Sequence, residues 1–271
     1  MIVSSVALAA NIDSTATRLG VPLPPAYVTA VAEARALPRD VDFSGATAAL
    51  NAVAIQAMRE GREVGADPQV QKLAAEVVLA AAGIRAAATS WAGDHITELV
   101  NTHANDIVAG WAQAIRGDLD TLEAAGAKLD MPDLNIPDTV ALRRAGLLDL
   151  WAQASTSSER ADAAIAGLRS ILRCVHIGFD GPTGNALLIA PDADISTLTA
   201  IGARAGRGTL TSWSAARCGA PLRLPTVTEY TQAVARVSAE RQQRERDADA
   251  DADADAKPEG RQRQRQWVKV R

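Results

Sequence analysis

Large apolar residues recur along two stretches of the chain, and the two are out of phase. Val70, Leu73, Val77, Ile84 and Trp91 step by 3, 4, 7 and 7 residues, a heptad-like stripe along one helical face. A second stripe starts at Ile96 and runs through Val100, Ala104, Ile107, Trp111, Ile115, Leu119 and Leu122. Its mean step is about 3.7 residues, nearer an 11-residue repeat than a heptad, so any supercoil there should be straight or slightly right-handed. Continuing the first phase would place Asp94 or His95, and then Glu98, in the apolar seam. The jump falls on Ala92-Gly93-Asp94, where Gly93 can close one helix and Asp94 can cap the next. The pattern predicts a kink or two helices, about 68–92 and 94–128.

Around this centre the chain divides by its breakers. Residues 1–22 read as a loose lead-in, closed by the breaker stretch Gly20-Val-Pro-Leu-Pro-Pro25. Residues 23–129 form a helical region, with helices from about Pro25 to Leu37 and Ser44 to Glu63, and a start at Asp67-Pro68, where Asp is a good N-cap and Pro a good first residue. Residues 130–138, with Pro132 and Pro137, are a linker. Residues 139–246 read as helix, helix, hairpin and helix. Asp138 caps a helix to about Ala154, and Thr156-x-x-Glu159 has the capping-box pattern for another reaching Cys174. Val175, Ile177 and Phe179 then alternate, and Asp180-Gly-Pro-Thr-Gly184 separates them from the apolar run 185–191, which predicts a β-hairpin. A short helix follows in 192–206, then an irregular stretch near Cys218–Pro225, then an amphipathic helix over about 227–245. Residues 247–271 alternate Asp with Ala, then Arg with Gln, and are expected to be disordered because like charges repel and Ala buries little. The fold class expected is mainly α: a helical bundle with one long kinked helix, a small α+β C-terminal part with one hairpin, and a disordered tail.

Composition narrows the class. Of the 271 residues 48% are hydrophobic but only 3% aromatic. Ala carries much of the apolar share, so closely packed helices are expected rather than a thick aromatic core. The net charge of -4 marks neither a dominant polyanion binder nor an acidic solvating chain. Cationic residues are mostly Arg, with Lys only at 72, 128, 257 and 269. With abundant Ala, Asp and Gly, this bias resembles proteins of high-GC actinobacteria and their phages; the resemblance is compositional and carries no motif. Cys174 and Cys218 make no disulfide framework. The N-terminal apolar run lacks a preceding Lys or Arg, which argues against a signal peptide, and no apolar stretch reaches the roughly 20 residues of a membrane span. A cytoplasmic or virion location is expected, with no membrane partner.

Candidate chemistry is sparse. His95 and Glu98 share a helical face, as do His103 and Asp106. Eight residues turn a helix by about 800°, leaving the two pairs roughly 80° apart, so they do not converge on one ion. Cys174, His176 and Asp180 lie close in sequence but without an oxyanion loop or nucleophile elbow. Neither Gly-rich stretch, 178–185 or 202–209, fits a phosphate-loop spacing. No cofactor, metal or catalytic residue is assigned.

Between Asp194 and Glu229 there is no acid, while Arg204, Arg207, Arg217 and Arg223 all fall there, a set able to touch phosphates. The order helix, spacer, helix, hairpin over 139–190 is compatible with a winged helix-turn-helix, although the N-terminal half of its second helix carries Glu159 and Asp162 beside Arg160. The Asp run fits no calcium loop, since the sixth position is Ala where Gly is needed. The last fifteen residues, with Arg261, Arg263 and Arg265 among them, are net +5, a basic end suited to docking on an acidic surface or nucleic acid.

The expectation is therefore a non-enzymatic helical interaction or assembly protein, on composition a structural component of an actinobacterial phage or prophage. It would self-associate, or join a larger assembly, through the stripe Ile96, Val100, Ile107, Trp111, Ile115, Leu119 and Leu122, which looks too long for the chain to cover by itself. The alternative is a nucleic-acid-binding protein using 139–190, the Arg cluster and the basic tail.

Overall fold

A computed structural model of the chain describes residues 5–36, 45–178, 181–205 and 211–256. The chain is mainly helical, and among the described residues no strand occurs. In order the helices are α1 (Ser5–Leu19), α2 (Pro25–Ala36), α3 (Ala46–Arg59), a 3-10 turn (Val64–Ala66), α4 (Pro68–Ala81), α5 (Ile84–Ala114) and α6 (Arg116–Gly126). There follow α7 (Thr139–Arg144), α8 (Leu148–Cys174), α9 (Gly181–Ala186), α10 (Ile195–Ala205), α11 (Ser212–Ala216) and α12 (Val227–Ala256).

The core forms where α8 packs against α1, α5 and α6. Along α8, Ala161, Ala164, Ile165, Leu168, Ile171 and Leu172 are buried, the 3-4 spacing of a core-facing stripe. The first expectation to fail concerns the N-terminus. The segment expected to be a loose lead-in is α1, whose Ala9 and Ile12 are fully buried on α8 and α5. Its contact face is built from Ala and Thr as much as from Leu and Ile, so its apolar signal is faint, yet small side chains are what allow two helices to approach closely.

The long helix breaks elsewhere than the phase jump predicts. α5 runs unbroken through Gly93 and Asp94. The breaks fall at Gly83, in the left-handed conformation with φ 68°, and at Ile115. Across Gly83 the chain bends by 52°. The phase jump records a change of environment within one helix: Ile84 and Trp91 face solvent, whereas Ala92, Ile96 and Val100 are buried.

α8 is also continuous where two helices were expected. Ser157 and Ser158 sit inside it and are buried; Ser157 Oγ donates to Asp118 at 3.1 Å and Ser158 Oγ lies 3.1 Å from Ser212 Oγ. Thr156 Oγ1 donates back to the Ala152 carbonyl. Polar residues that would otherwise favour a cap thus find partners without ending the helix. The helix begun at Asp138, whose side chain does accept from the Ala141 amide, ends at Arg144, with Gly146 in the left-handed region. The helix-spacer-helix arrangement of a winged helix is therefore not formed over 139–174. The expected hairpin is not seen among the described residues: Gly181–Ala186 is helical, and Phe179 and Asp180, at its expected turn, lie outside them.

Three local features match the sequence pattern. Asp67 caps α4, accepting from the Gln69 and Val70 amides at 2.8 and 3.2 Å with Pro68 in first position. Residues 130–138 are irregular, fastened by two indoles: Trp213 Nε1 donates to the Met131 carbonyl at 3.0 Å and Trp151 Nε1 to the Leu134 carbonyl at 2.9 Å. The last helix starts at Val227 as expected. It continues to Ala256, however, so the order expected to end at Asp247 extends through the whole Asp-Ala run. Ala is the strongest helix former, and Gln243 donates to Asp247 across one turn at 2.7 Å. Residues 257–271 lie outside the described residues.

Candidate interaction surface

The seven residues expected to meet a second copy lie in the chain's own core. Ile96, Val100, Trp111, Ile115 and Leu122 are fully buried and Ile107 and Leu119 nearly so. The cover comes from α1, which reads as unstructured in the sequence, and from α8, which is longer than its sequence suggests. That stripe is not available as an interface.

The Arg cluster is likewise engaged. Arg223 pairs with Asp192 at 3.0 Å and Glu229 at 2.6 Å, residues that flank the acid-free window in sequence and close on it in space. Arg217 faces Asp130 at 3.8 Å. Arg204 donates to the Arg217 carbonyl at 2.8 Å and lies 2.9 Å from Cys218 Sγ. Arg160 is held by Asp118 at 2.8 Å. Arg207, Arg261, Arg263 and Arg265 lie outside the described residues.

Among the described residues, no three His, Cys, Asp or Glu side chains gather into a set able to hold a metal ion. His95 stacks on Trp91, ring centroids 4.9 Å apart and 20° from parallel; Glu98 and Asp106 are exposed and His103 half-buried. Cys174 is buried, and burial pushes its thiol above the ordinary range, the opposite of what a nucleophile needs. Asp180 is outside the described residues.

A polar cleft of about 600 Å³ opens between α1, residues 132–135, α8 and α11. On its floor Asp162 accepts the Ser212 amide at 2.7 Å and the Ser158 hydroxyl at 3.4 Å. Burial pushes the Asp162 carboxyl upward, opposed by those same hydrogen bonds. No histidine lines this cleft, and its buried hydroxyls are turned to one another and to Asp162. The arrangement caps α11 and ties it to α8; it holds no activated nucleophile.

What remains unpartnered is an apolar arm. α3 packs on α4 and on the 3-10 turn between them, and α4 touches the start of α5. Among the described residues of 45–91 only Ala46, Ala57, Asp67 and Val70 are buried. Met58 is 64% exposed, Val78 65%, Ile55 53% and Trp91 51%, with Leu79 and Ile84 close behind. Most of the large apolar side chains exposed among the described residues therefore sit on this one unit, together with its many Ala. No family model matches the chain, and neither the curated proteins nor the solved structures contain a detectable match.

Charge on the arm is balanced. Arg59, Arg62, Lys72 and Arg85 stand against Glu60, Glu63, Asp67 and Glu76. Six of these eight cluster at the turn between α3 and α4 or on α4 itself, and α3 carries none before Arg59. Among the described residues no single helix is long and apolar enough to cross a membrane. Of the stripe Val70, Leu73, Val77, Ile84 and Trp91, Val70 is buried while Ile84 and Trp91 are exposed; periodicity alone cannot tell a covered stripe from an open one, and Ile55, Met58, Val78 and Leu79 lie off it.

Proposed function

We propose that the chain is a non-enzymatic assembly protein and that the α3–α4 arm, with the first turns of α5, is its docking element. The observation that carries this is the exposure of Ile55, Met58, Val78, Leu79, Ile84 and Trp91 on a unit that buries almost nothing of its own. Exposed large apolar side chains gathered on one unit mark interaction sites in folded proteins. Two 14-residue helices are also marginal without tertiary cover. The Ala-rich, Lys-poor composition supports placing such a protein among the structural components of an actinobacterial phage or prophage.

A photo-crosslinking residue at position 55 or 78 in the full chain tests this in the native host, with a third at Glu240 on α12 as control. Adducts identified by mass spectrometry from 55 and 78 but not from 240 are expected. Equal labelling at all three, or none at any, sinks the reading.

A further inference from the structure

We infer that the α3–α4 arm pairs with the same arm of a second copy across a twofold axis. This rests on the reading of the arm as the docking element and names its partner.

Charge chooses between the occupants of an apolar face. Nucleic acid or an anionic membrane surface draws an excess of Lys and Arg onto the contacting face, because each contact neutralises a phosphate. The arm has none: its four cations are matched by four carboxylates. A strongly charged protein partner would leave its own charges unmatched against the uncharged length of α3. A second arm, equally neutral and equally small-residued, brings no unmatched charge.

The exposed large side chains lie toward opposite ends of the two helices. α3 and α4 run antiparallel, joined by the 3-10 turn at Val64–Ala66. Ile55 and Met58 lie toward the turn end of the hairpin, and Val78 and Leu79 toward the Gly83 end. An oblique twofold axis through the middle of the hairpin would exchange these two positions and set Ile55 and Met58 against Val78 and Leu79 of the partner subunit. A twofold contact requires that each patch meet its counterpart in this way. The chain between the two patches is rich in Ala, which lets helices approach closely.

Size is sufficient. Two 14-residue helices present a face about 21 Å long, at 1.5 Å per residue, and about 20 Å wide. Two such faces, with the first turns of α5, cover on the order of 1,000 Å², the lower bound for a specific interface.

The test is the mass of the purified full chain by light scattering and sedimentation equilibrium across micromolar concentrations. A dimer is expected. Ile55→Asp with Met58→Asp should weaken dimerisation on the order of tenfold or more, with the core still folded by near-UV circular dichroism because both residues are exposed and outside it. Ile136→Asp, at an exposed residue of the linker, should leave the dimer intact. A second pair guards against misfolding: Val78→Lys with Leu79→Lys should also weaken the dimer alone, and should recover a heterodimer when mixed with the Ile55→Asp, Met58→Asp protein. A monomeric wild type, a dimer indifferent to the arm substitutions, or flotation of the monomer with anionic vesicles would each overturn the inference. A monomer whose arm still crosslinks to an identified different protein overturns self-pairing and leaves the assembly reading standing; loss of crosslinking as well removes both.

Discussion

Gly167 on α8 lies so close to Trp111 on α5 that a Cβ at position 167 would stand 2.6 Å from the indole Cζ3. The same methyl would meet Thr15 of α1 at 2.7 Å. Three helices cross at this point, and the absence of a side chain on one of them lets the largest buried residue of the core fit between the others. Trp111 is fully buried there, and its Nε1 has no hydrogen-bond partner among the described residues.

Gly167→Ala should therefore cost about 1–3 kcal/mol, the range for overpacking a well-filled core, read as a fall in the urea midpoint at unchanged slope. Trp111→Asp should unfold the chain, because it puts an unpaired charge into the interior of one molecule. A folded Trp111→Asp protein that merely lost a subunit contact would return this stripe to the interface role that its sequence pattern suggests.

Two glycines of the α4–α5 region should respond in opposite directions. Gly83 has φ 68°, and an L side chain there should cost about 1–2 kcal/mol. Gly93 is mid-helix, and a methyl added there would have Ser5 Oγ as its nearest neighbour, at 3.9 Å. Gly93→Ala should stabilise by about 0.5–1 kcal/mol. Thermal melts of the two variants check both signs; a destabilised Gly93→Ala would mean that α5 is not continuous there.

Asp162 should give the chain a pH dependence of defined sign. Burial raises its folded pKa above the 3.8 of a free carboxyl, so the folded state holds this proton to higher pH than the unfolded chain does. Its ionisation then opposes folding, and the stability it contributes when protonated is lost as pH rises from below 3.8 through the folded value. Relative to wild type, Asp162→Asn should gain stability as pH is raised from acid to neutral, since the amide oxygen still accepts from Ser212. Asp162→Ala should lose about 1–3 kcal/mol at neutral pH by leaving the Ser212 amide unpaired. Denaturation of the three proteins at several pH values measures this, and a difference between wild type and Asn that does not change with pH contradicts it.

Arg223 should be silent toward nucleic acid. Its guanidinium is held by Asp192 and Glu229, so Arg223→Ala should change neither the affinity for random duplex DNA nor the slope of that affinity with salt. A slope reduced by about 1 in the variant would show a phosphate contact and revive the nucleic-acid alternative.

Much of the local structure is legible residue by residue. Asp67-Pro68 announces the start of α4 and Asp138 that of α7, because a cap is a bond between near neighbours and needs nothing from the rest of the chain. Thr156 and Glu159 show where that logic stops: the capping pattern is present, but Asp118 and Ser212, distant in sequence, engage the adjacent serines and the helix runs on. The acids that occupy Arg223 are hidden for a related reason, since Asp192 and Glu229 flank the window that looks unopposed.

By itself the sequence determined that the chain is helical, where several helices begin, and that two apolar stripes run out of phase, because propensity, capping and periodicity are properties of neighbouring residues. Tertiary structure alone decided which stripe is core. The stripe from Ile96 to Leu122 is covered by α1 and α8, where Ala, Gly, Ser and Thr are interleaved with Leu and Ile and dilute the hydrophobic signal. The stripe ending at Trp91 is left open at its Ile84 and Trp91 end, because beyond the 52° bend at Gly83 α4 packs chiefly on α3 and little on α5.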